Sequence, residues 1–107
     1  MTIKEFEIQY ALGSMSDTCR VNLAIHKRTA KKILTILSTD KYWYVRCQVA
    51  GNPNTPVKIL VALSKDVHHA SVRIYVRENP NTPKEIIEKL LKDARRFDHE
   101  NTYYNYN

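Results

Sequence analysis

Apolar residues along this chain fall into short clusters with helical spacing, and the clusters come in pairs. The first of a pair is typified by Trp43–Gly51, where Val45, Val49 and Ala50 share one helical face. The second carries a stronger stripe: Ile33, Leu34 and Leu37; then Ile59, Leu60 and Leu63; then Ile86, Ile87 and Leu90. Ahead of the pairs, Lys4–Leu12 reads as an amphipathic helix with Ile3, Phe6 and Tyr10 facing inward, ended by Gly13-Ser14. Arg95-Arg96-Phe97 closes the last helix. No helical or alternating period follows, so residues 99–107 are expected to form a frayed tail, or a segment whose three tyrosines pack back or supply a binding strand.

The pairs are copies of one another. Asn-Pro-Asn-Thr-Pro stands at Asn52–Pro56 and again 27 residues later at Asn79–Pro83. Val45-Arg46, Val49, Ile59, Leu63 and Lys65-Asp66 meet Val72-Arg73, Val76, Ile86, Leu90 and Lys92-Asp93 at the same offset. An eroded copy lies 26 residues upstream, where Cys19-Arg20, Leu23-Ala24, Thr29, Ile33-Leu34 and Asp40 match, and the pentapeptide has become His26-Lys27-Arg28-Thr29-Ala30. Repeats of this length indicate a stacked array whose units bury their apolar faces against neighbours. The expected fold is therefore all-α: an α-solenoid of about three helical pairs. Its parts are an N-terminal capping helix (1–14), unit 1 (15–41), unit 2 (42–67), unit 3 (68–94) and the tail (95–107).

The pentapeptide reads as punctuation. Asn tolerates the left-handed conformation that ends a helix, and Pro cannot continue one. Thr55 and Thr82 are expected as N-caps, with Pro56 and Pro83 at the first helical position. Thr82-Pro83-Lys84-Glu85 completes a capping box, whereas Lys58 puts a cation against the helix dipole at the matching place.

The unit Val-Arg-x-x-Val-Ala-x-Asn-Pro-Asn-Thr-Pro, followed by a leucine-bearing helix and Asp, resembles the leucine-rich repeat variant family, a relative of the HEAT-like helical repeats. Residues 45–66 match best, 72–93 match with Arg77 in place of a small Ala, and 19–40 match loosely. The resemblance implies a right-handed superhelix of short helices and a binding or scaffolding role with no shared reaction. An iron–sulfur cysteine cluster occurs in one type of member. This chain lacks it, because Cys19 and Cys47 occupy apolar unit positions.

Charge narrows the partners. Net charge is +6 and the pI about 9.4, which permits attraction to nucleic acid or acidic proteins without establishing it. No acidic residue lies between Asp17 and Asp40, while Arg20, Lys27, Arg28, Lys31 and Lys32 accumulate, marking a candidate polyanion site. Tyr42, Trp43 and Tyr44 are consecutive and cannot all face a helical core, so Tyr42 and Trp43, with Lys58 and Lys84 on the second helices, are the candidate protein-binding residues. The Asp and Arg of each unit recur at equivalent positions, which favours structural ties between units over catalysis. His68 and His69 stand in an inter-unit loop, where they are expected to be solvent-exposed, and two cysteines make neither a disulfide framework nor a metal set. The expectation is a cytoplasmic, non-enzymatic adaptor without cofactor or membrane partner, able to self-associate through its end faces. Nucleic-acid binding is the alternative.

Overall fold

The structure, a computed structural model, describes the backbone of residues 1–105 and the side chains of residues 1–94. Its helices are α1 (Ile3–Ala11), α2 (Asp17–Ile25), α3 (Lys31–Leu37), α4 (Trp43–Gly51), α5 (Val57–Leu63), α6 (Ala70–Glu78) and α7 (Lys84–Asn105). The chain is all-helical, with seven helices and no strand among the described residues. Six of these elements follow the predicted pairs closely. The seventh does not: α7 runs on to Asn105, so the expected frayed tail is helical through that residue.

Helix α4 lies between α2 and α6 and makes its broadest contacts with them, while α3 and α5 touch their neighbouring first helices and hardly meet each other. The core follows from that placement. Val45 and Val49 of α4, Val72 and Val76 of α6, and Leu34, Leu37 and Leu60 of the second helices are all fully buried. Phe6 anchors α1 against α3 and stacks on Tyr10, whereas Ile3, expected inward, is exposed.

Turn chemistry departs from the local rules. Asn52 and Asn79 are extended, with φ of −75° and −73°, and among the described residues the left-handed region is used only by Gly13 at φ 68°. The asparagines are instead buried ties. Asn52 Nδ2 donates to the carbonyls of Ala24 and His26 at 2.7 and 3.0 Å, while its Oδ1 accepts from the Asn54 N–H at 2.8 Å. Asn79 repeats this one unit on, donating to Ala50 and Asn52 and accepting from Asn81. The threonines turn backwards as well: Thr29, Thr55 and Thr82 donate to the carbonyls of Leu23, Val49 and Val76, each at 2.6 Å. These are carbonyls of the preceding helix's last turn, and those of Val49 and Val76 also accept the Asn52 and Asn79 N–H at 3.1 Å. Capping of the following helix by Thr55 therefore does not occur, and Pro56 is itself the N-cap of α5, as Ala30 is of α3.

Ion pairs, one buried and one partly buried, close the first two units. Arg20 Nε donates to Asp40 Oδ2 at 2.8 Å and Arg46 Nε to Asp66 Oδ2 at 2.9 Å, so each Arg reaches forward to the Asp that ends its own unit. The second guanidinium donors of Arg46 and Arg73 take the backbone carbonyls of Asp40 and Asp66 behind them. Unit 3 lacks the forward pair: Asp93 is carried outward on α7 and is exposed, and Arg73 has no ion-pair partner among the described residues.

Tyr10 joins α1 to this network by donating its hydroxyl to Asp40 Oδ2 at 2.9 Å. Burial, the Asp40 hydrogen bond and the Asp40 charge together push the phenol from 10.0 up to about 12. A folded value above the unfolded one adds stability that is complete below pH 10 and is lost as pH rises toward 12. Denaturant titrations of the wild type and Tyr10→Phe should therefore converge across that alkaline window. A constant difference between them across it would rule out this linkage.

Candidate functional site

The aromatic residues form one cluster at the start of α4. Trp43 meets Tyr42 and Tyr44 edge-on, at centroid distances of 6.2 and 5.6 Å. Its other neighbour comes from the next unit: the His69 ring stacks on the indole at 5.5 Å with planes 11° apart. Two hydrogen bonds fix that histidine's backbone and its neighbour's, because the N–H groups of His68 and His69 both donate to Asp66 Oδ1. His69 is thus half-buried, not solvent-exposed as the loop position suggested, while His68 is exposed. Tyr42 packs on the core, and its N–H donates to Asp40 Oδ1 at 2.9 Å.

Trp43 stays 36% exposed in this clasp, and Val67, in the loop that leads to His69, is 81% exposed. An open concavity of about 470 Å³ adjoins the cluster, lined by Lys41, Arg46, Lys65, Asp66, Val67 and His69 among others. Burial pushes the Asp66 carboxyl up, but the Arg46 Nε–H and the His69 and His68 N–H groups outweigh it and hold the group below its usual range. The concavity therefore presents an ionised carboxylate already committed to Arg46. Among the described residues, no three His, Cys, Asp or Glu side chains converge on one point.

The candidate cations separate into different environments. Arg20 is a correction: it is buried, and its donors are taken by Asp40, the Met15 carbonyl and Asp17, so it offers nothing to an external polyanion. The Asp40 hydrogen bond outweighs desolvation, and the guanidinium is more firmly protonated than usual. Lys32 pairs with Glu7 of α1 at 3.3 Å, and Lys31 Nζ donates to Asn54 Oδ1. Lys27, Arg28, Lys58 and Lys84 are exposed, with Lys84 reaching Glu88 only at 3.9 Å.

The aromatic and basic candidates do not share a surface. Trp43 opens α4, whereas Lys58 follows its far end, a separation of about 13 Å along nine residues. Lys27, Arg28, Lys31, Lys58 and Lys84 all lie at the edge where first helices end and second helices begin, as do the asparagine ties. Trp43 lies at the opposite edge, beside the loops that join the units. The expected surface combining Tyr42 and Trp43 with Lys58 and Lys84 is therefore two separate edges. The recurrence of Arg at 20, 46 and 73 was the sequence signal that assigns Arg20 to the packing.

No helix among the described residues is long and apolar enough to cross a membrane. No protein-family profile, curated protein or solved structure matches this chain.

Proposed function

We propose that this chain is a right-handed α-solenoid of HEAT-like helical pairs, of the leucine-rich repeat variant type, serving as a cytoplasmic protein-binding adaptor with no chemistry of its own. Support for the solenoid comes from the two successive asparagine ties, which join unit 2 to unit 1 and unit 3 to unit 2 with the same bonds. Closer contact among α2, α4 and α6 than between α3 and α5 suits an array curved toward its first helices. The adaptor reading rests on one observation: Trp43 is held by the His69 stack and still keeps a third of its surface free. A rigid aromatic anchor loses little entropy on binding, and such residues dominate interface energetics.

Trp43 is the only tryptophan, so its emission reports on this edge alone. Affinity capture from the native host, with nuclease treatment, should recover a protein whose binding shifts that emission. Trp43→Ala should weaken the capture at least about tenfold while helicity is retained, as expected of an interface hot spot. Undiminished capture by that variant would overturn the Trp43 assignment.

A second reading, polyanion binding, is favoured by Lys27, Arg28, Lys31, Lys58 and Lys84 sharing one edge. The same capture distinguishes it. Binding abolished by nuclease, falling steeply with salt and lost in Lys27→Glu/Arg28→Glu marks a nucleic acid.

A further inference from the structure

The outer face of α2 is built like an interface and has nothing on it. Helices α4 and α6 pack on the first helices before them, α2 and α4, and carry Val45 and Val49, then Val72 and Val76, all fully buried. Their counterparts in α2 are Cys19 and Leu23, which are only half-buried. Helix α1 packs on α3 and leaves this side of α2 open. What remains is a cavity of about 590 Å³ bordered by Ser16, Cys19, Asn22, Leu23, His26 and Arg28.

His26 stands where the later units have the tying asparagine, and it reproduces half of that residue's bonding. Its Nδ1 accepts the Arg28 N–H at 3.1 Å, as the Oδ1 atoms of Asn52 and Asn79 accept from Asn54 and Asn81. A neutral imidazole accepting at Nδ1 carries its proton on Nε2. That N–H is the counterpart of the amide groups by which Asn52 and Asn79 hold the last carbonyls of the helix before them. On exposed His26 it meets no partner among the described residues.

We infer that this slot docks one amphipathic α-helix of a partner protein, its C-terminal carbonyls seated on His26 and Arg28 and its apolar face on Cys19 and Leu23. The internal interfaces specify the helix. The helices seated on α4 and α6 carry Val21-x-x-Ala24 and Cys47-x-x-Ala50, with both alanines fully buried, so a small residue belongs in the last turn. Charge agrees, since the negative end of a helix dipole would meet Lys27, Arg28 and the His26 N–H. A second copy fits poorly. Seated through its α6, it would present Arg77 in place of that alanine and bring it against Lys27 and Arg28. The slot is separate from Trp43, so the inference rests on the equivalence of the units and stands or falls apart from the Trp43 assignment.

The probe is a fluorescent, stapled, C-terminally amidated helix with the sequence of residues 17–26, Cys19→Ala in the peptide. Its anisotropy should saturate with protein, and it should slow alkylation of the protein's Cys19 toward a limit of about fivefold when about 80% of slots are filled. Cys47 serves as internal control, because burial pushes its thiol up to about 11 and keeps it unreactive in either case. Leu23→Glu in the protein, or Ala24→Arg in the peptide, should weaken binding at least about tenfold. His26→Ala should weaken it about fivefold, the worth of one hydrogen bond, while His26→Asn retains or tightens it. His26 is exposed, so its two variants carry the test even if Leu23→Glu lowers stability. Absence of saturable binding, or affinity indifferent to both positions, overturns the proposal. So does a dimer in sedimentation that Leu23→Glu dissociates, since a second copy then fills the slot.

Discussion

Asp40→Ala is expected to remove about 3–5 kcal/mol of folding stability, the cost of stranding a buried cation. Asp40 is 2% exposed and is the convergence point of three elements: it accepts from Arg20 Nε, the Tyr10 hydroxyl and the Tyr42 N–H. Truncation leaves the buried Arg20 with Asp17, whose side chain is 67% exposed and therefore screened, and with the Met15 carbonyl. It also removes the Tyr10 hydrogen bond that ties α1 to the first unit, leaving the exposed Lys32–Glu7 pair. Stability of a domain this size is of the order of 5–15 kcal/mol, so the variant sits near the folding threshold.

Urea denaturation measures the loss directly, and a double-mutant cycle tests its cause. If the stranded guanidinium is the main cost, Arg20→Met together with Asp40→Ala should recover part of the stability that Asp40→Ala loses, because deleting both partners of a buried pair costs less than deleting one. Asp66→Ala should cost less than Asp40→Ala, since Arg46 and Asp66 are both more exposed than Arg20 and Asp40. A loss below about 1 kcal/mol at Asp40, typical of a surface pair, would remove the network from any account of the fold.

How far the sequence carries depends on the range of the interaction. Helices α1 to α6 are legible because periodicity and Pro punctuation act within a few residues; α4 keeps its expected bounds and α1 shifts by one residue. The same local rules misassigned the hydrogen bonds of the pentapeptide. Local rules make Thr55 a cap for the helix one residue ahead, yet its hydroxyl turns to Val49 behind it. They make Asn52 a left-handed stop, yet its amide spans 28 residues to Ala24. Both alternatives satisfy the same side chain, and only the packed neighbour decides between them. Arg20 shows the converse case. Counting neighbouring charges placed it in a basic cluster, while its partner Asp40 lies twenty residues on in sequence. Lys32 was similarly free on paper and is paired with Glu7 from α1. The aromatic edge was legible as to residues but not as to geometry, since His69 reaches Trp43 only through the fold.

Asn52→Asp should destabilise the chain more than Asn52→Ala, although it changes a single amide to a carboxylate. As a turn residue Asp substitutes well for Asn, so a punctuation role for the pentapeptide predicts a loss within a few tenths of a kcal/mol. The observed bonds predict otherwise. In Asn52→Ala the Ala24 and His26 carbonyls lose a donor and the Asn54 N–H loses an acceptor, at a total of about 3 kcal/mol for groups that water partly reaches. In Asn52→Asp the Asn54 contact survives, but an anion at a site 2% exposed points at two carbonyl oxygens, replacing attraction with repulsion. Burial beside those carbonyls raises the new carboxyl's folded pKa above the unfolded value of about 3.9. A raised folded value means stability present at low pH and lost as pH rises, so the gap between Asn52→Asp and Asn52→Ala should narrow on acidification. The same order is expected at Asn79, one unit along, where the amide holds Ala50 and Asn52. Equal tolerance of Asp and Ala at both positions would return the asparagines to turn formation and leave the units joined by apolar contact and by the Arg46 and Arg73 bonds to the Asp40 and Asp66 carbonyls.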